Sequence, residues 1–137
     1  MKKILFFTVL SFLLLASCTK EEGEGGLASI SGKIVTDIRL VPSNAATFQY
    51  SRAGADEEVY IIFGDNVGPD ERVWTNYKGE FAFYNLRPGD YTLYIYSADT
   101  TGAAQVDQNR MPIVKQITIE GRKDKVDAGT IVRYDTP

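Results

Sequence analysis

Hydrophobic and polar residues alternate over most of the chain beyond residue 27, in runs too short for helices and with a period of two. In Ser29 to Asp37, Ile30, Gly32 and Ile34 share one face while Ser31 and Lys33 take the other. Glu58 to Asp65 groups Val59, Ile61 and Phe63, and Gly79 to Leu86 groups Phe81 and Phe83. Asp90 to Ser97 sets Tyr91, Leu93 and Ile95 against Thr92, Tyr94 and Tyr96. Runs at Arg72 to Asn76, Pro112 to Glu120 and Lys125 to Asp135 bring the number to seven. Successive side chains of a strand point to opposite faces, and the Gly, Pro, Asn and Asp between the runs supply turns. The pattern predicts an all-β protein, an antiparallel seven-stranded β-sandwich occupying residues 27–137. Two longer connections interrupt it. Asp37 to Glu57 holds only a weak strand-like piece at Thr47 to Ser51, and Ala98 to Met111 is polar.

The stretch Tyr77 to Ser97 carries seven aromatic residues around Arg87-Pro88-Gly89-Asp90. Pro88 fixes φ and Gly89 accepts φ > 0, so the chain reverses here. A hairpin about this turn sets Phe83 opposite Tyr91 and Phe81 opposite Leu93, with Leu86 folded beneath as a plug. In that register Tyr94 falls opposite Glu80, and Tyr84 beside Asp90. The series Gly79, Phe81, Phe83, Leu86, Pro88, Gly89, Tyr91, Leu93 resembles the carboxypeptidase regulatory-like domain, of the transthyretin-like (prealbumin-like) family. The resemblance implies a Greek-key order for the seven strands. The chain departs from the family where Asp37 to Glu57 replaces a short Gly- and Pro-rich turn.

The N-terminus follows another rule. Lys2 and Lys3 precede an almost unbroken apolar run from Ile4 to Leu15, shorter than the roughly 20 residues a spanning helix needs. Residues 1–17 read as a secretory leader. Leu15-Ala16-Ser17-Cys18 matches the lipobox of bacterial lipoproteins, in which Cys18 takes a diacylglycerol and becomes the first mature residue. Cys18 is the lone cysteine, so an intramolecular disulfide is excluded. Several acyl chains give an effectively permanent anchor. Residues 18–26, rich in Gly and Glu, read as a lipidated, flexible acidic tether. Lys20-Glu21-Glu22 resembles the acidic export signal of Bacteroidota-type lipoproteins, which implies an outer-membrane protein facing the cell exterior.

Charge and residue inventory narrow the chemistry. Loss of the leader takes the net charge from −3 to −5, against nucleic acid as a partner. The chain has no histidine, which removes Ser-His-Asp and Cys-His sites and the common zinc sites. No enzyme activity, metal or cofactor is expected. Asp56-Glu57-Glu58 and Asp70-Glu71 read as solvated loop faces. Asp65, Asn66, Asp70 and Glu71 offer hard oxygen ligands, but without EF-hand spacing, and a plain turn accounts for them. Trp74 and Tyr77 are the candidates for stacking on a sugar ring; Tyr84, Tyr94 and Tyr96 could extend that surface, but facing Glu80 and Asp90 they read as ordinary outward strand residues with polar tips. For Trp74 the partly buried strand residue is the preferred reading. Asp99-Thr100-Thr101 matches a short O-glycosylation motif with Thr100 as acceptor. The leading expectation is a non-catalytic lipoprotein, anchored in the membrane through Cys18. Its sandwich serves as an interaction or structural module for an outer-membrane protein partner. The alternative is a small carbohydrate-binding lipoprotein.

Overall fold

The computed structural model describes residues 21–102 and 110–137; Cys18 and Lys20 lie outside the described residues. The described residues form β1 (Glu24–Arg39), β2 (Phe48–Ala53), β3 (Glu58–Phe63), β4 (Glu71–Trp74), β5 (Glu80–Leu86), β6 (Gly89–Ala98), β7 (Arg110–Ile119) and β8 (Lys125–Asp135). They pack as a two-sheet, all-β sandwich. One sheet has the order β4-β3-β6-β7, with every pairing antiparallel. The other is built on the long strand β1. One edge of β1 pairs with β8 along most of its length, and the other with β5 and then β2.

The inward sets follow the alternation. Ile30 and Ile34 of β1, Val59 and Ile61 of β3, Phe81 and Phe83 of β5, and Tyr91, Leu93 and Ile95 of β6 form one buried core. Leu86 is fully buried below the turn, as expected of a plug. Asn85 makes this possible by taking φ 58, a left-handed conformation that Asn tolerates better than most residues. Burying an aliphatic or aromatic side chain of this size contributes about 1.5–3 kcal/mol, so these positions carry most of the stabilisation. Gly32 belongs to the same face by making room, since a Cβ there would stand 2.6 Å from Phe81 Cζ.

Four expectations are corrected. Among the described residues the strands number eight, because Phe48–Ala53 in the presumed connection pairs with β1. The pairing of β1 with β8 is parallel, so the sandwich is not wholly antiparallel. The Pro-Gly turn is an arch, not a hairpin: β5 pairs with β1 in one sheet, and β6 pairs with β3 and β7 in the other. Tyr91 accordingly lies opposite Phe63 and Ile117, and Tyr94 opposite Tyr60 and Val114. Finally, β1 begins at Glu24, within the segment expected to be a free tether.

The junction where β5 gives way to β2 along β1 is tight. Ile34 N–H donates to Gly79 O at 2.7 Å, and Ile34 O accepts from Gly54 N–H at 3.0 Å. Gly79 has φ 79, and a Cβ there would lie 2.3 Å from Ile34 O. Only glycine fits this backbone crossing. The junction directs the β4–β5 turn toward the outer face of the β1 sheet, where the candidate site lies.

Candidate functional site

The outer face of the β1 sheet is assembled from residues in register across three strands. Ser31 pairs with Ala82 of β5 and Asp127 of β8, and Lys33 with Glu80 and Thr130. Between those two rows β8 bulges, spending three residues where β1 spends two. Gly129 takes φ 73 there, its N–H donates to Asp127 Oδ1 at 2.7 Å, and Lys115 Nζ donates to the Ala128 carbonyl. The small residues Ser31, Ala82 and Gly129 leave a hollow, a groove of about 760 Å³. Tyr84, 67% exposed, lines it from β5, and Trp74, 60% exposed, from the end of β4.

The Trp74-side rim is pre-arranged by hydrogen bonds. Asn76 Oδ1 accepts from Lys78 N–H at 2.9 Å and Glu80 N–H at 3.0 Å. Asn76 Nδ2 donates to Glu80 Oε2 at 3.0 Å, so both side chains are oriented beside the groove. Thr75, buried, donates through Oγ1 to Gly54 O at 2.5 Å and accepts from Glu57 N–H at 2.9 Å. Trp74 therefore stands on a fixed backbone although its ring is in solvent.

Trp74 also lines a smaller cavity of about 210 Å³ beside the outer face of the β3–β6 sheet. There Tyr60 stacks on Tyr94 with centroids 4.9 Å apart, and Tyr96 meets both rings edge-on at 6.0 and 5.8 Å. Tyr60 donates its hydroxyl to Glu58 Oε2 at 2.5 Å, and Arg72 pairs with Glu58 Oε1 at 2.6 Å. The hydrogen bond to Glu58, then burial, holds the Tyr60 phenol above its usual pKa, and burial raises Tyr94. Arg133 of β8, its side chain 4% exposed, donates to Tyr96 O through Nε and pairs through Nη1 with Glu57 and Asp135.

The predicted residues are thus separated. Trp74 belongs to both hollows and is exposed, not a partly buried strand residue. Tyr77 lines neither; it sits 78% exposed on the β4–β5 turn with Lys78 Nζ 5.6 Å from its ring centroid. Tyr84 lies on the β1 sheet, whereas Tyr94 and Tyr96 lie on the other, so the outward tyrosines are not one surface. Glu21 and Glu22 are described, and a Cβ at Gly64 or Gly89 would meet the Glu22 side chain. Thr100 is half-buried with Oγ1 3.6 Å from Met111 Sδ, while Thr101 holds the Asp99 carboxyl below its usual range through two hydrogen bonds. Asp70, weighed as a cation ligand, accepts from Phe63 N–H and Asn66 Nδ2 and closes its own turn.

Sequence reasoning missed Arg133, Arg110 and the use of Asp56 to Glu58. One signal was available: Arg133 follows Ile131 by two residues in β8, so a charge occupies an inward position.

No protein-family model matches this chain, and no curated protein does. Among solved structures, the chain is similar to a "putative carbohydrate binding protein" from Pseudomonas aeruginosa. That match covers 82% of this chain and 91% of the other at 15% identity, with a TM-score of 0.47. The likeness says nothing of what this chain binds.

Proposed function

We propose that the protein is a non-catalytic outer-membrane lipoprotein, facing the cell exterior, whose sandwich binds glycan chains along the groove of the β1 sheet. The observation that carries this is the placing of an exposed Trp74 and an exposed Tyr84 on a hollow floored by small and hydrogen-bonding residues. Sugar rings present flat CH faces that pack on aromatic faces and hydroxyls that both donate and accept. Asn76, Glu80, Lys33, Asp127 and Thr130 supply the polar partners. The lipobox ending in Cys18 and the Lys20-Glu21-Glu22 signal support the address. The absence of histidine supports a binding role over a catalytic one. The motif from Gly79 to Leu93 supports a kinship with carboxypeptidase regulatory-like domains.

Glycan-array binding of the wild type and Trp74→Ala tests this reading. Binding lost in the variant with its melting temperature unchanged is the expected result. A wild type that binds no glycan, or a variant that binds equally well, overturns it. Protease shaving of intact cells checks display, and full resistance argues for an anchor facing inward.

A second reading, a protein-contact module, rests on the β1–β2 arm. Leu40, Val41, Phe48 and Tyr50 are all exposed there, and β2 is a sheet edge. Exposed apolar clusters on an unpaired edge suit a partner chain. Loss of a co-purifying outer-membrane protein in Phe48→Ser/Tyr50→Ser, but not in Trp74→Ala, is the result that would favour it.

A further inference from the structure

The small cavity beyond Trp74 differs from the groove in size and lining. At about 210 Å³ it falls below the roughly 300 Å³ at which pockets for drug-sized ligands begin, so it has room for one ring and not for a chain. Three aromatic residues line it, Trp74, Tyr60 and Tyr96. The other five carry charge: Asp56, Glu57, Glu58, Arg110 and Arg133. We propose that this cavity is an end-binding subsite, which takes the terminal neutral sugar residue of a glycan whose following residues lie in the groove. The inference rests on the glycan-binding reading of that groove and adds what part of the chain is recognised.

Three features select such a ligand. The first is charge balance. Glu58 is paired with Arg72, and Arg133 with both Glu57 and Asp135, which leaves Asp56 and Arg110 outside these pairs. Three carboxylates against two guanidiniums disfavour a carboxylate guest, and a lining so rich in charge disfavours an apolar one.

The second is the Arg133–Glu57 pair. The Arg133 side chain is held by bonds through Nε and Nη1, and Nη2 takes part in none of them. A guanidinium N–H beside a carboxylate oxygen presents a donor next to an acceptor. Two neighbouring sugar hydroxyls satisfy both, one accepting from the arginine and one donating to Glu57.

The third is rigidity. The contacts among Tyr60, Tyr94 and Tyr96, and the Tyr60–Glu58 hydrogen bond, fix the aromatic wall before any ligand arrives. A wall already ordered loses little side-chain entropy on binding. Trp74 is common to cavity and groove, so a chain end seated in one can continue into the other across its ring.

Trp74 is the single tryptophan of the chain, which makes its fluorescence a direct reporter. The experiment titrates the full chain with free glucose, galactose, mannose and N-acetylglucosamine. Glucuronic acid and glucosamine serve as charged comparators, and oligosaccharides that bind on the array report on the groove. A saturable change with at least one neutral monosaccharide is expected. Asp56→Asn and Tyr96→Ala should each weaken it about tenfold, and Tyr84→Ala should leave it unchanged. These variants spare the buried Arg133. Oligosaccharide binding that needs Tyr84 while no neutral monosaccharide binds would overturn the end subsite and leave the groove reading standing. Tighter binding of a charged comparator would likewise overturn it. If no sugar of any length binds, both readings fall.

Discussion

The Tyr91 hydroxyl and the Gly23 backbone meet at the point where the chain enters the sandwich: Gly23 N–H donates to that hydroxyl at 3.0 Å. The same hydroxyl donates to the Arg87 carbonyl at 2.7 Å, and Arg87 N–H donates to Gly23 O at 2.8 Å. One buried phenol thus ties the start of β1 to the arch between the two sheets.

Tyr91→Phe removes both hydroxyl bonds and leaves the Gly23 N–H without that partner. A loss of about 1–3 kcal/mol in urea unfolding is expected, with faster amide exchange at Gly23. Unchanged stability and exchange would show that the phenol is not what holds the segment.

Gly79→Ala and Gly68→Ala form a matched pair. Both glycines have positive φ, 79 and 86, but a Cβ at Gly68 meets nothing within 4 Å while one at Gly79 meets Ile34 O. Left-handed backbone alone costs a non-glycine residue about 1–2 kcal/mol. Thermal melting should show a loss of that size for Gly68→Ala and a clearly larger one for Gly79→Ala. Equal losses would mean that the β5–β2 junction tolerates displacement.

Arg133→Met leaves Glu57 without its principal partner. Removing one member of a buried pair costs about 3–5 kcal/mol, and the partial exposure of Glu57 brings the expected figure to about 2 kcal/mol. In a double-mutant cycle, Arg133→Met/Glu57→Gln should lose less than the sum of the two single changes. Strict additivity would deny the coupling.

Alkaline pH should weaken the fold. Tyr91 is raised above its ordinary 10.0 chiefly by burial, Tyr60 by its bond to Glu58, and Tyr94 by burial. A phenol with a raised folded pKa stays protonated in the folded chain after the unfolded chain has begun to ionise. Its contribution is therefore whole below about pH 10 and is lost as pH rises from there through the folded value. Unfolding free energies measured from pH 8 upward, beside the tyrosinate absorbance, check this. Constant stability across that titration would count against it.

Much of the core was legible because alternation depends only on local geometry. Ile30, Phe83, Leu93 and Ile95 could be placed inward with no knowledge of their neighbours. Pairing was not legible in the same way. Arg87 to Asp90 signals reversal, but an arch and a hairpin use the same turn residues, and which results depends on the partners β1 and β3 offer. Strand β2 is exposed along nearly all its length, so Phe48 to Ala53 shows no buried face to betray it. Trp74 stood out as an aromatic residue beside a turn, and Tyr77 stood out for the same reason without belonging to the site. Asp56, Tyr96 and Arg133 converge only through sheet packing, over sequence separations that no local pattern spans.

With the lipid anchor proposed at Cys18, the direction of β1 would set how the domain stands on a membrane. Its first residue, Glu24, lies near Leu86, and the next strands at that end are entered at Gly89 and Lys125. The cavity residues Asp56, Tyr96 and Arg133 belong to the opposite ends of their strands or just beyond. Five residues lie between Cys18 and Glu24, so a lipid on Cys18 would be within a reach of about 20 Å of Glu24 when the chain is fully extended. The sandwich would then have little freedom to swing. Its height above the bilayer would come from the length of its own strands, and the cavity would be carried at the outer tip.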